Sequence, residues 1–256
     1  MSISVLMSVY NKEKPEYLRS SLESIWDEQI LKPDEIILIQ DGPLSDELKS
    51  KIHSFAKKVG SAFKTIKLAE NVGLTKALNI GIKECTCDFI ARMDSDDIST
   101  ANRFRIQYDF FHVHKEIDII GGAIEEFDDY NRIIGIRQYP LDYESFRTQI
   151  CKTSPLAHPS VMFRRKIFDE GNKYPENYRT TQDLAFWFIL LKKGYKFSNI
   201  NEPILKFRRI DDLYKRRSRS KAFEEFKIYI NGIKSLHGLT YYYIFPIARL
   251  IFRLLP

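Results

Sequence analysis

The tetrapeptide Asp94-Ser95-Asp96-Asp97 packs three carboxylates into four residues. Like charges this close repel one another unless a cation or fixed donors neutralise them. Oxygen-only ligands at such density suit Mg²⁺ or Mn²⁺, which take one or two carboxylates and complete their shell with water and phosphate oxygens. A solvated acidic turn or a helix cap is the competing reading of the same residues. Context favours the metal. The apolar run Phe89-Ile90-Ala91-Arg92-Met93 directly before the cluster reads as a buried strand, so the carboxylates emerge at its C-terminal end. In open α/β sheets that end is where ligands bind.

A further carboxylate, Asp183, follows Thr180-Thr181-Gln182 in the first turn of an apolar helix carrying Leu184, Trp187, Phe188 and Leu191. A carboxylate at that position can cap the helix.

The elements around these residues alternate. Residues 3–9, 35–39, 65–68 and 88–93 read as strands, 16–26 and 46–59 as helices with apolar residues on one face, and Glu70-Asn71-Val72-Gly73-Leu74 as the opening of a helix that runs to about residue 83. This βαβα rhythm with short loops predicts an α/β fold, a doubly wound and mostly parallel sheet flanked by helices. Right-handed crossovers then gather the strand C-termini on one rim. Asp41 in Gln40-Asp41-Gly42, Asn71 in Asn71-Val72-Gly73-Leu74 and the Asp94 cluster all fall there. The second half is less regular. Residues 117–127 read as a strand pair, 133–138 as a short strand, and Leu156-Ala157-His158-Pro159-Ser160 as a loop entering another strand.

A chain of 256 residues can bury one substantial core, so a single domain over 1–205 with an extension over 206–256 is expected. Cys85, Cys87 and Cys151 cannot all pair, and Cys85-x-Cys87 is too short for a zinc knuckle, so reduced, packed thiols are expected. The N-terminus lacks the basic start of a signal peptide and reads as a strand; a cytoplasmic location follows. The net charge of +6 concentrates in residues 206–221, which points to an anionic partner (nucleic acid, phosphorylated ligand or anionic lipid) or to a solvated helix face. Residues 240–256 are apolar and aromatic. Pro246 divides them, and the remainder is too short for a span of about twenty residues. Arg249 and Arg253 share one helical face, opposite Ile247, Leu250, Ile251 and Leu254. That pattern predicts an amphipathic helix at a membrane surface, with a docked C-terminal helix as the alternative.

Taken in order, Ser8-Val9-Tyr10-Asn11, Gln40-Asp41-Gly42, Asn71-Val72-Gly73-Leu74 with Asn79, Asp94-Ser95-Asp96-Asp97 and Gln182-Asp183 resemble the family 2 glycosyltransferases, whose fold is called GT-A. Residues 91–103 and 158–165 look closest to the branch that builds bacterial O-antigen, capsule and amylovoran-type exopolysaccharide. The resemblance implies a nucleotide-sugar-binding half over 1–100 and an acceptor-binding half over 101–205. It implies transfer of glucose or galactose from a UDP-sugar to an undecaprenyl-diphosphate-linked sugar, giving a β linkage (β-1,3). It gives Tyr10, Asn11, Glu13, Asp41, Asn71, Gly73 and Asp94 to the nucleotide-sugar, and Asp96 with Asp94 to Mn²⁺ or Mg²⁺. Asp97 orients that site or caps a helix. Asp183 becomes the general base and His158 lies on the acceptor side. Arg209, Arg216 and Arg217 pair with diphosphate or with an anionic membrane. The acidic residue usual before the base is Gln182 here, which leaves a supporting role at that position without a candidate. The implied location is the inner face of the plasma membrane.

Two other classes fit parts of the chain. A sugar-phosphate nucleotidyltransferase would carry a glycine-rich loop after the first strand, and Val9-Tyr10-Asn11-Lys12-Glu13-Lys14-Pro15 has no glycine. A nucleic-acid-binding protein would use residues 206–221 but leaves the Asp94 cluster unexplained, because acidic rims repel phosphate backbones. No nucleic-acid partner is therefore expected.

Overall fold

The computed structural model describes residues 2–178, 180–209 and 219–255. Strand β1 (Ile3–Val9) is buried along nearly its whole length, as a central parallel strand covered on both faces must be. It pairs in parallel with β2 (Glu35–Gln40) on one side and β4 (Phe89–Asp94) on the other; β3 (Phe63–Lys67) extends the parallel set beyond β2. The two-residue period of β1 sends Val5, Met7 and Val9 into one core and Leu6 into the other. The first core lies under α1 (Pro15–Trp26), α2 (Asp46–Val59) and α4 (Arg103–Val113); the second lies under α3 (Leu74–Glu84), α5 (Tyr143–Gln149), α6 (Lys166–Asp169) and α7 (Gln182–Lys192).

Local chemistry sets the helix ends. The Ser45 hydroxyl accepts from the Leu48 amide at 3.3 Å, Asp46 and Glu47 sit at the positive end of α2, and Lys57 and Lys58 at its negative end. Gly60, at φ +71°, stops the helix.

The expected strand pair over 117–127 is a single nine-residue strand, β6 (Ile119–Phe127). Its paired glycines serve close packing and not a turn. A Cβ on Gly121 would lie 2.5 Å from the Asn199 Oδ1, and one on Gly122 would lie 2.6 Å from the Ile204 side chain. Strand β7 (Ile133–Arg137) pairs antiparallel with the end of β6, while β8 (Met162–Arg164) lies antiparallel between β4 and β6. The long β9 (Phe197–Arg208) runs parallel to β6 and holds the two-residue β5 (Ile98–Ser99) at the edge. Among the described residues the sheet order is β3-β2-β1-β4-β8-β6-β9-β5, with β7 on β6. Because β9 ends at Arg208, the sheet runs past residue 205 into the basic segment. The three cysteines are free and buried, and burial pushes the Cys85 and Cys151 thiols up to about 12, where they are inert.

Helix α8 (Arg219–His237) packs on α7, and α9 (Ile244–Leu254) packs on α8. The orientation of α9 corrects the sequence reading. Arg249 and Arg253 do not face outward; both pair with the buried carboxylate of Glu225 on α8. The α7–α8 contact needs Gly232, where a Cβ would come within 2.4 Å of the Phe188 ring. Gly232→Ala gains about 1 kcal/mol of helix propensity, but overpacking of this kind costs about 1–3 kcal/mol. The variant should therefore be less stable than wild type in urea unfolding with an unchanged m-value. Equal or higher stability would show that the two helices do not pack this closely.

Candidate active site

The register of the parallel strands ends Ser8 beside Asp94 and Val9 beside Gln40, so the loops after β1, β2 and β4 open together. Between them lies a cavity of about 430 Å³ lined by Tyr10, Glu13, Asp41, Asn71, Gly73, Asp94, Ser95 and Asp96. The Asp41 carboxylate is buried and accepts from the backbone amides of Val72 at 2.7 Å and Gly73 at 3.1 Å; the Asn71 side-chain amide donates to the Asp41 carbonyl at 3.1 Å. Gly73 turns its amide toward Asp41 at φ +86°, a conformation that strains any residue with a Cβ. Asp41 thus builds the wall first, and its oxygens keep lone pairs for a ligand. Tyr10 stands at the mouth, 46% exposed. Glu13 accepts from the Ser95 hydroxyl. Asn11 is exposed and does not line this cavity.

Asp94, Asp96 and Asp97 each offer a carboxylate oxygen within 4.8 Å of the other two. Burial, with the Asp94 and Glu13 carboxylates adding to it, pushes Asp96 up to about 7. Burial, then Asp94 and Asp96, also raises Asp97 well above the usual carboxylate range. Asp97 caps no helix, contrary to one sequence reading. Its Oδ1 accepts from the Arg208 amide at 2.8 Å, while its buried Oδ2 has no partner among the described residues. The Arg208 Nε donates to the Asp96 carbonyl at 2.9 Å, and its guanidinium lies over the Tyr17 ring, 3.9 Å from the centroid.

A second cavity, about 610 Å³, shares Leu74 and Asp94 with the first and reaches His158, Gln182 and Asp183. Asp183 is the second residue of α7, which begins directly after Thr181, whose φ of +60° costs a non-glycine residue about 1–2 kcal/mol. Such strain collects where function requires a fixed geometry. Burial raises the Asp183 pKa, opposed by the Leu184 amide and the Arg92 charge. His158 is buried, with Nε2 at 2.8 Å from the Tyr174 hydroxyl and its ring edge-on to Trp187. Burial and the nearby Arg92 hold its pKa well below the usual histidine value, so it is neutral. It lines the cavity while being packed into the core. Asn79 serves the same wall by exchanging hydrogen bonds with the Tyr174 backbone.

Arg92 was not singled out by sequence. It is 3% exposed, donates to Asp94, and lines the second cavity; its Nε and Nη1 have no hydrogen-bond partner among the described residues. The signal was present, because an arginine two residues before Asp94 in a strand must share its face. Arg103 braces the same strand by donating to the Arg92 carbonyl at 2.7 Å. Arg209, by contrast, lies 3.7 Å from the Glu126 carboxylate and lines neither cavity. Arg216 and Arg217 lie outside the described residues.

Two cavities meet at a carboxylate cluster, and another carboxylate stands at the head of a helix whose N-cap has a positive φ. The family model described as Glycosyl transferase family 2 matches residues 4–171. The amylovoran biosynthesis glycosyltransferase AmsE of Erwinia amylovora is 32% identical over 255 residues, 97% of this chain and 94% of that protein. The UDP-Gal:alpha-D-GlcNAc-diphosphoundecaprenol beta-1,3-galactosyltransferase of Escherichia coli is also 32% identical, over 99% of this chain and 91% of its own. Among solved structures, S. aureus TarS 1–349 in complex with UDP-GlcNAc superposes with a TM-score of 0.71 at 18% identity, over 99% of this chain and 72% of that one. That likeness is one of fold, the GT-A arrangement. The chain belongs to glycosyl transferase family 2 and is a glycosyltransferase.

Proposed function

We propose that this enzyme moves a hexose, glucose or galactose, from a UDP-sugar to an undecaprenyl-diphosphate-linked sugar. The product is a β-1,3 linkage formed with inversion, in the synthesis of O-antigen or another bacterial surface polysaccharide. The observation that carries this reading is the meeting of the two cavities at Asp94, with the acidic cluster in one and Asp183 in the other. The E. coli relative, whose name states that donor, acceptor and linkage, supports it.

In this reading the smaller cavity takes the nucleotide, with Tyr10 against the base and Asp41 beside the ribose or uracil. Asp96 and Asp94 hold Mn²⁺ or Mg²⁺; an all-oxygen donor set with the unpartnered Asp97 Oδ2 beside it fits such an ion. Bound there, the ion offsets the charge that develops on the departing UDP. The acceptor enters the larger cavity. Its hydroxyl oxygen attacks the anomeric carbon as the bond to UDP breaks, and Asp183 accepts the hydroxyl proton. The raised pKa of Asp183 makes it a better base than an exposed aspartate. Neutral His158 hydrogen-bonds on the acceptor side. Arg216 and Arg217 pair with diphosphate or with anionic lipid, and Arg209 keeps its partner Glu126. Among the described residues no helix is long and apolar enough to cross a membrane. We place the enzyme peripherally on the inner membrane face, held by its C-terminal segment.

The direct test is UDP release and sugar transfer to a GlcNAc-diphosphate-lipid analogue with Mn²⁺ present. Failure of UDP-glucose, UDP-galactose and their N-acetyl forms alike would overturn the proposal. Asp183→Asn should lower kcat about 10²–10⁴-fold with UDP affinity nearly unchanged, whereas Asp96→Ala should weaken metal-dependent UDP binding itself. Equal loss of UDP binding in both would remove Asp183 as the base.

A second expectation concerns pH. A carboxyl raised from 3.8 to about 7 in the folded protein favours folding at low pH, and that contribution is lost as pH rises through about 7. The metal-free protein should therefore melt lower at pH 8 than at pH 5.5. Mn²⁺, which binds the deprotonated cluster, should raise Tm more at pH 8. Asp96→Asn should abolish most of that increment, and a metal effect independent of pH would contradict the assignment.

A further inference from the structure

Helix α9 is an amphipathic helix mounted the opposite way from what its sequence suggests. On its inner side Arg249 Nη1 donates to Glu225 Oε1 at 2.8 Å and to the Tyr229 hydroxyl at 3.3 Å, and Arg253 Nη1 donates to Glu225 Oε2. Arg249 also donates to the Lys152 carbonyl, and Pro246 is buried. Both arginines are held by contacts within the protein. The outer side presents Ile244 (62% exposed), Ile251 (56%), Phe252 (77%) and Leu255 (60%), with exposed Tyr241 at the entrance to the helix. A helix on a water-facing surface turns its polar stripe outward. This one does the reverse.

Three observations choose the occupant of that face. Eleven residues make a helix about 16 Å long. One face of it falls well short of the roughly 800 Å² per partner that a stable protein interface buries. The surrounding segment is basic: residues 219–255 carry Arg219, Lys221, Lys227 and Lys234, all exposed, besides the two clamped arginines. Their acids are Glu224, which accepts from Thr180, and Glu225, which holds the clamp. An apolar strip with an aromatic edge and a basic surround is the chemistry of an interfacial helix on anionic lipid.

We propose that α9 enters the headgroup layer of an anionic bilayer with its Ile244–Ile251–Phe252–Leu255 face, and that Arg249 and Arg253 are not lipid contacts but the clamp that presents this face. This deepens the peripheral placement proposed above and identifies the face that makes it. It is measured without donor or acceptor, so it can fail independently of the reaction.

The purified full-length chain is incubated with vesicles of phosphatidylcholine containing about 30% phosphatidylglycerol and sedimented. Wild type should co-sediment, and Ile251→Glu with Phe252→Glu should lower the partition coefficient roughly tenfold or more. That double variant should keep its wild-type rate on a water-soluble acceptor analogue, which shows that fold and active site are intact, while losing rate on an acceptor embedded in vesicles. Arg253→Gln should change partitioning less than the double glutamate variant does. Absence of wild-type binding would overturn the proposal, as would partitioning that depends on Arg253 and not on Phe252. A wild-type dimer in solution that the glutamates convert to monomer, without vesicle binding, would make the face a protein interface and also overturn it.

Discussion

Buried negative charge at the end of β4 is the constraint to which the rest of the site answers. Strand β4 delivers Asp94, Asp96 and Asp97 to a place where burial and mutual repulsion raise two of them. The fold surrounds them with fixed positive groups. Arg92 donates to Asp94, the Arg208 amide donates to Asp97, and the Arg208 side chain holds the backbone of Asp96. Arg103 stands behind Arg92, itself pulled down to about 9 by burial and by that neighbouring cation. These contacts join α4, β4 and β9, elements far apart in sequence, around one cluster. Among the described residues the compensation is incomplete, since Asp97 Oδ2 and two nitrogens of Arg92 have no hydrogen-bond partner. Groups left so are expensive in an apolar interior unless something else satisfies them. An incomplete balance of this kind suits a site that is finished by its ligands.

Asp94 and Leu74 lie on the wall common to both cavities, so the two meet at the acidic cluster. The division of labour among the carboxylates follows from their surroundings. Asp96 sits among like charges and gains most from a cation. Asp183 faces Arg92 across the larger cavity and is raised mainly by burial, which leaves it basic without making it a metal ligand. Asp41 spends two lone pairs on backbone amides and is fixed in place by them.

The first half of the fold was legible because parallel strands buried on both faces are continuous apolar runs, and Asp41, Asn71 and Asp94 follow them at fixed offsets. The second half was not. Residues 117–127 read as a strand pair in sequence, yet they form one strand whose Gly121 and Gly122 serve contacts with Asn199 and Ile204, residues about eighty positions away. Helix α9 shows the same limit. Its period is correct in the sequence, but which stripe faces inward depends on Glu225, a single carboxylate on another helix. Arg92 was hidden for a related reason: it reads as an interruption of an apolar strand, and only the cavity beside it gives it a task.

Two adjacent carboxylates on α8 bear on how the active site and the outer face of α9 are related. Glu224 accepts from the Thr180 hydroxyl at 2.7 Å, one residue before the strained Thr181 and three before Asp183. Glu225 holds both arginines of α9. Two turns further along α8, the Gly232–Phe188 contact leaves α7 and α8 no room for a side chain, so the two helices cannot slide freely. Residue by residue, the outer face of α9 is therefore connected to Asp183 through packed helices and short polar bonds. The head of α7 and the outer face of α9 are thus held as parts of one packed unit.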